Sequence, residues 1–175
     1  MKILIINGKG TCGKDTFIDF LKNHCNLYQW SSIDLIKKIA LDYFDWDGLK
    51  DDAGRKLLSD LKLASVAYND LPLRDMKTHV KNAKYLNKDL FIAVIRDIPE
   101  IEKVLKDEFF KDYDIKTLLI KRKSLEDKIY GNSADDNVDL YDYNYCISND
   151  GTIKDLEVKA LSLINTLGIK KKGIK

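Results

Sequence analysis

Eight consecutive residues carry the strongest chemical signal in the chain: Gly8-Lys9-Gly10-Thr11-Cys12-Gly13-Lys14-Asp15, directly after the apolar run Ile3-Leu4-Ile5-Ile6. Glycine accepts φ > 0 and lets backbone N–H groups approach an anion closely. A helix starting near Lys14 adds its unpaired N-terminal N–H groups and the positive end of its dipole. Lys14 then reaches the β- and γ-phosphates of a nucleotide as a flexible point charge. Gly8 through Asp15, with Thr16 beside them, are the expected triphosphate-binding residues.

The spacing Gly-x4-Gly-Lys arises by chance in roughly one chain in twenty of this length, given ordinary glycine usage. An apolar strand just before it and an amphipathic helix just after it narrow the match. Both are present: Thr16, Phe17, Phe20, Leu21 and His24 recur at helical spacing. The alternative is a plain glycine turn. Asp15 stands where such loops usually carry a hydroxyl that ligates Mg²⁺. A carboxylate can take that metal directly or through water, or it can simply favour the first helical turn. Metal contact is the preferred reading.

The 175 residues suffice for one domain spanning 1–175 with a full core. A formal net charge of +2 gives no reason to expect a nucleic-acid polymer as partner. No apolar run approaches a membrane span, and Met1-Lys2 enters the first strand without a signal-like core. Cys12, Cys25 and Cys146 match no metal spacing and read as free thiols of a cytoplasmic protein. With only His24 and His79 present, a histidine-based site is not expected.

The rest of the chain alternates strands and helices. Strands are expected at 2–7, 27–30, 90–95, 115–120 and 143–148. Helices are expected at 14–24, from a Ser31-Ser32 cap to Phe44, at 52–69, 71–86, 100–110 and 154–167. In the second of these, Ile33, Ile36, Ile39, Ala40, Tyr43 and Phe44 share the apolar face; in the third, Leu57, Leu58, Leu61, Ala64 and Ala67 do. Trp46, Tyr68 and Tyr85 could stack on a base, but core packing is the simpler assignment. Strands joined by helical crossovers imply an α/β fold: three layers, α/β/α, around a five-stranded parallel sheet. Ligands then sit at the carboxyl ends of the strands.

No Asn-Lys-x-Asp base-reading motif of GTPases occurs. The chain instead resembles the P-loop nucleoside and nucleotide kinase superfamily. More narrowly, it resembles the group whose loop ends Gly-Lys-Asp, such as phage-type deoxynucleoside monophosphate kinases and animal-type phosphomevalonate kinases. Four segments carry the resemblance: the loop, Ser31-Ser32-Ile33-Asp34-Leu35-Ile36-Lys37, Ile95-Arg96-Asp97-Ile98-Pro99-Glu100, and the run from Tyr143 to Thr152.

The resemblance implies a P-loop NTPase fold and ATP-dependent transfer of the γ-phosphoryl, with Mg²⁺. The first choice of acceptor is a (deoxy)nucleoside monophosphate. A phosphomevalonate- or dephospho-coenzyme A-type kinase, or an NTP-binding protein or NTPase without an acceptor, is the alternative. Lys14, Arg96 and Arg122 would be catalytic, and Asp15 and Asp97 would hold the metal. Asp34, Lys37, Arg55, Arg74 and Arg96 would bind the acceptor through a helical region at about 31–88, and a lid would lie at about 121–142. Each has a plainer role: Arg96 in a surface ion pair, Asp97 as a helix cap, Arg122 in a solvated turn. The expected assembly is a monomer or homodimer.

Overall fold

The computed structural model describes residues 1–49, 51–129 and 136–172. In chain order these form β1 (Lys2–Asn7), α1 (Lys14–His24), β2 (Leu27–Ser31), α2 (Asp34–Tyr43), α3 (Asp52–Asn69), α4 (Leu71–Tyr85), β3 (Leu90–Val94), α5 (Ile98–Lys106), β4 (Ile115–Lys121), β5 (Tyr145–Ser148) and α6 (Ile153–Thr166). The sheet runs β2-β3-β1-β4-β5, every pair parallel. The expected five-stranded parallel α/β fold is therefore present, and all the strands end at one edge. Among the described residues, no helix is long and apolar enough to cross a membrane, and all three cysteines are free.

The continuous apolar run of β1 follows from covering both faces of the sheet. Leu4 and Ile6 point to one face, where α1 and α6 pack through Phe17, Leu21, Leu156 and Ile164. Ile3 and Ile5 point to the other, where α4 and α5 pack through Met76, Val80, Ile101 and Val104. A third, smaller cluster joins α2 to α3 through Ile36, Ala40 and Leu58.

Several expected details are corrected. Ser31 ends β2, and the Ser32 N–H donates to the Val94 carbonyl (3.1 Å), so the β-ladder claims the serines. Ile33 precedes α2 and supplies no side-chain cap. Tyr43 and Phe44 are 79% and 52% exposed, because the end of α2 runs clear of α3. Ala64 and Ala67 are likewise exposed. Tyr68 and Tyr85 stand out from the surface rather than in a core. The α5 helix stops at Lys106, where the Asp107 carboxylate accepts from the Phe109 N–H (2.9 Å) and starts a short 3-10 turn.

The fifth strand begins at Tyr145, two residues later than expected. Side chains preempt the ladder before it. The Asn144 amide oxygen accepts from the Thr117 N–H (2.9 Å), and the Asn144 N–H donates to the Thr117 hydroxyl (3.0 Å). The Tyr143 hydroxyl accepts from the Asn7 amide (2.7 Å).

Burial pushes the Tyr143 hydroxyl up to about 12. The folded state thus holds its proton more tightly than the unfolded chain does, and stability falls as pH rises from about 10 to about 12. Tyr143→Phe is expected to lose about 1 kcal/mol at neutral pH through the missing hydrogen bond. Its stability should then decline less than that of the parent over the same alkaline window. Urea unfolding of both proteins at a series of pH values checks this; parallel curves would contradict it.

Candidate functional site

The loop between β1 and α1 is held in an unusual backbone. Gly8 (φ 147°), Thr11 (φ 65°) and Gly13 (φ 99°) are all left-handed. For a β-branched residue such as Thr11 this is a strained conformation of the kind that recurs at ligand-binding loops. A Cβ at Gly8 would run into the Ile120 carbonyl, and one at Gly13 into the Asn149 amide. Gly13 opens α1 without a side-chain cap, so the N–H groups of the first turn have no intrahelical acceptor. That is the preparation for an anion.

Lys14 begins α1 and is only 6% exposed. Its ammonium turns back into the loop and donates to the Gly8 carbonyl and, at 2.8 Å, to the Lys9 carbonyl. The buried Cys12 sulfur lies 3.6 Å from it. Two backbone carbonyls thus help to fix this cation at the centre of a curled backbone. Phosphate oxygens would replace these with charge-assisted bonds, which are about twice as strong.

Asn7 roots the loop. It is fully buried. Its oxygen accepts from the Gly8 N–H (2.7 Å), and its amide donates to the Arg96 carbonyl (3.0 Å) and to Tyr143. On the far side, Asn149 donates to the Cys12 carbonyl (2.9 Å). Asp150 accepts from the Lys123 N–H (2.7 Å). The Lys9 ammonium donates to the carbonyls of Leu125 (3.1 Å), Glu126 (2.5 Å) and Lys128 (3.3 Å). Lys121 pairs with Asp139 at 2.8 Å. The loop, the segment after β4 and the exit of β5 are therefore tied together, around a cavity of about 260 Å³ lined by Cys12, Ile120, Leu125 and Val138.

The shared strand edge brings together most of the residues singled out from the sequence. Arg96 and Asp97 follow β3, Arg122 follows β4, and Asp34 lies just past β2. Asp15 and Thr16 are exposed in the first turn of α1. Asp97 occupies the cap position of α5 but makes no side-chain capping bond, so its plainer role is not used. Asp34 and Lys37 face each other on α2 at 3.4 Å. Arg55 is exposed on α3, and Arg74 is exposed in the first turn of α4. Residues 130–135, in the middle of the expected lid, lie outside the described residues.

The sequence does not single out a second cluster at this edge, made of Ser32, Lys62 and Glu100. Glu100 is 8% exposed and lies 2.9 Å from the Lys62 ammonium, which reaches the Ser32 hydroxyl at 3.4 Å. Burial raises the Glu100 carboxyl above its ordinary value, with Lys62 opposing the shift. In the sequence Glu100 shows as the last residue of the Ile95–Glu100 segment and as an acid in the first turn of a helix. Asn7 has a clearer signal: a polar residue ending an apolar strand immediately before the glycines.

The residues fit a magnesium nucleotide. The uncapped loop would suit phosphates, and Asp15 and Asp97 are carboxylates of the kind that would hold Mg²⁺. Among the described residues no group of three or more His, Cys, Asp or Glu side chains could hold a metal by itself.

No family model matches the chain, and neither does any curated protein. Solved structures do. A tunicamycin resistance protein from Deinococcus radiodurans aligns with a TM-score of 0.56 at 12% identity, over 99% of this chain and 100% of that one. A sugar kinase from Janibacter sp. HTCC2649 aligns at 0.51 and 12% identity, over 94% and 95% of the two chains. Dephospho-CoA kinase from Campylobacter jejuni aligns at 0.50 and 13%, over 95% and 97%. At these identities the likeness is one of fold: these proteins share the five-stranded parallel α/β architecture of this chain.

Proposed function

We propose that the protein is an ATP-dependent phosphotransferase that moves the γ-phosphoryl group to a small phosphorylated acceptor, first of all a (deoxy)nucleoside monophosphate. One observation carries this reading. Lys14 is buried within a left-handed glycine loop whose helix opens uncapped, at the edge where all five strands end. The kinase fold supports it, as do the Gly-Lys-Asp loop and the segments around Arg96 and Asn149.

In this mechanism the loop N–H groups and Lys14 hold the triphosphate and take up the charge that develops on the transferring group. Asp15 and Asp97 hold Mg²⁺, which neutralises phosphate charge when bound. Arg96 binds the acceptor phosphate as a bidentate guanidinium. A phosphate acceptor is already ionised, so no dedicated base is needed and positioning dominates. Arg122 reaches the transferring group from the lid at about 121–142. Asp34, Lys37, Arg55 and Arg74 bind the acceptor from the helical region at about 31–88.

The test is ADP release from Mg-ATP across ribo- and deoxynucleoside monophosphates, phosphomevalonate and dephospho-coenzyme A, with a blank lacking acceptor. Strong stimulation by one acceptor is expected. Equal slow turnover with and without acceptors would instead favour an NTPase or nucleotide-binding protein. Lys14→Ala should lower turnover at least about 100-fold, as the loss of a transition-state charge partner does, with an unchanged circular dichroism spectrum. Asp15→Ser should move the Mg²⁺ titration of activity to higher concentration. An unmoved titration would leave Asp15 as a helix-start residue only.

A further inference from the structure

A short turn follows β4. Lys123–Leu125 form a 3-10 turn that Arg122 opens. The Glu126 N–H continues it by donating to the Lys123 carbonyl (3.1 Å), and the Lys128 N–H by donating to the Leu125 carbonyl (3.2 Å). Carbonyls at the end of a helical turn run out of intrahelical donors, and a lysine can supply them. Here the lysine comes from the glycine loop. Lys9 donates to the carbonyls of Leu125 (3.1 Å), Glu126 (2.5 Å) and Lys128 (3.3 Å). An ammonium carries three donors, and three oxygens meet this one. The turn has two further holds: Asp150 accepts from the Lys123 N–H (2.7 Å), and Leu125 packs against the core under α1 and α6. The carbonyl of Lys9 itself accepts from Lys14 at 2.8 Å. One residue thus links the buried cation of the loop to the turn, through its carbonyl on one side and its side chain on the other.

We propose that Lys9 is a positioning residue: its ammonium holds the 122–128 turn on the glycine loop and thereby sets Arg122 for the transferring phosphoryl group. The assignment rests on the phosphotransferase reading and gives the Lys9 side chain a role of its own within it. Arg122 is exposed, and its carbonyl accepts from the Leu125 N–H (2.9 Å), so its backbone belongs to the turn that Lys9 holds. A long, flexible guanidinium meets a reacting group in the right geometry only when the backbone that carries it is fixed. The side chain of Lys9 is engaged by the turn, which leaves the loop N–H groups and Lys14 to the triphosphate. A lysine suits this place because its ammonium is a compact point with rotatable donors.

Amide hydrogen exchange in the full chain, without nucleotide, reads the tether directly. In Lys9→Ala the hydrogen-bonded amides of Lys123, Leu125, Glu126 and Lys128 should exchange at least about tenfold faster, with those of β1 and β4 unchanged. Propylammonium, which replaces the atoms removed, should reverse the change. Tetramethylammonium at equal concentration, which has no N–H, should not. Lys9→Met keeps the stem without the charge and serves if the alanine variant does not fold. In the turnover assay, Lys9→Ala should lower kcat at least about tenfold and leave the KM for ATP within about twofold. Combined with Arg122→Ala it should lower kcat no further than Arg122→Ala alone, because both act through one guanidinium. Unchanged exchange at 122–128 would overturn the proposal. So would a raised KM for ATP at unchanged kcat, which puts the ammonium on the triphosphate, or a loss that adds to that of Arg122→Ala. Missing ADP release from the parent protein fails the phosphotransferase reading, whereas the tether itself fails only in the exchange.

Discussion

The carboxyl edge of the sheet is organised by one buried amide. Asn7 has no access to water, and its side chain joins three things: the first N–H of the loop, the carbonyl of Arg96 beyond β3, and the hydroxyl of Tyr143 before β5. A buried amide must find such partners or cost stability. Satisfying it fixes where the loop departs and where β3 delivers Arg96 and Asp97. It also fixes where the chain enters β5. Position 8 then requires glycine twice over: its φ is positive, and the Ile120 carbonyl closes the space a side chain would fill.

Charge is distributed around that anchor in two different ways. Around the glycine loop, backbone carbonyls hold the cations: Lys14 by the loop itself, Lys9 by the turn after β4. Such bonds fix where each ammonium sits. On the opposite side, Lys62 is held by a carboxylate, and the field there is nearly closed. A buried ion pair of this kind contributes little net stability. Its effect is to orient both groups.

Local pattern carried much of this architecture. The bounds of β1, α1 and α3 follow from apolar periodicity and from the glycines, which act within a few residues of themselves. What local pattern does not contain is long-range pairing. Asn7 and Tyr143 are 136 residues apart, and Lys62 and Glu100 are 38 apart. In sequence, Lys62 is one more cation on a charged helix and Glu100 one more first-turn acid. Tyr43 and Phe44 fail in the opposite direction. Their spacing matches the buried face of α2, but the surface that should cover them is absent at that end of the helix. Ser31 and Ser32 have good capping chemistry, and the β-ladder reaches their backbone first.

The two faces of the sheet carry separate cores. One, under α1 and α6, sets the phosphate loop; the other, under α4 and α5, lies beside Glu100. Side chains on adjacent positions of a strand point into different cores, so they share a backbone but few neighbours. Substitutions in one core are therefore close to additive with substitutions in the other. A lineage of such chains could remodel the α4–α5 side while the α1–α6 side kept the glycine loop in place. The fold is modular without being divided into domains, and the sheet is the partition.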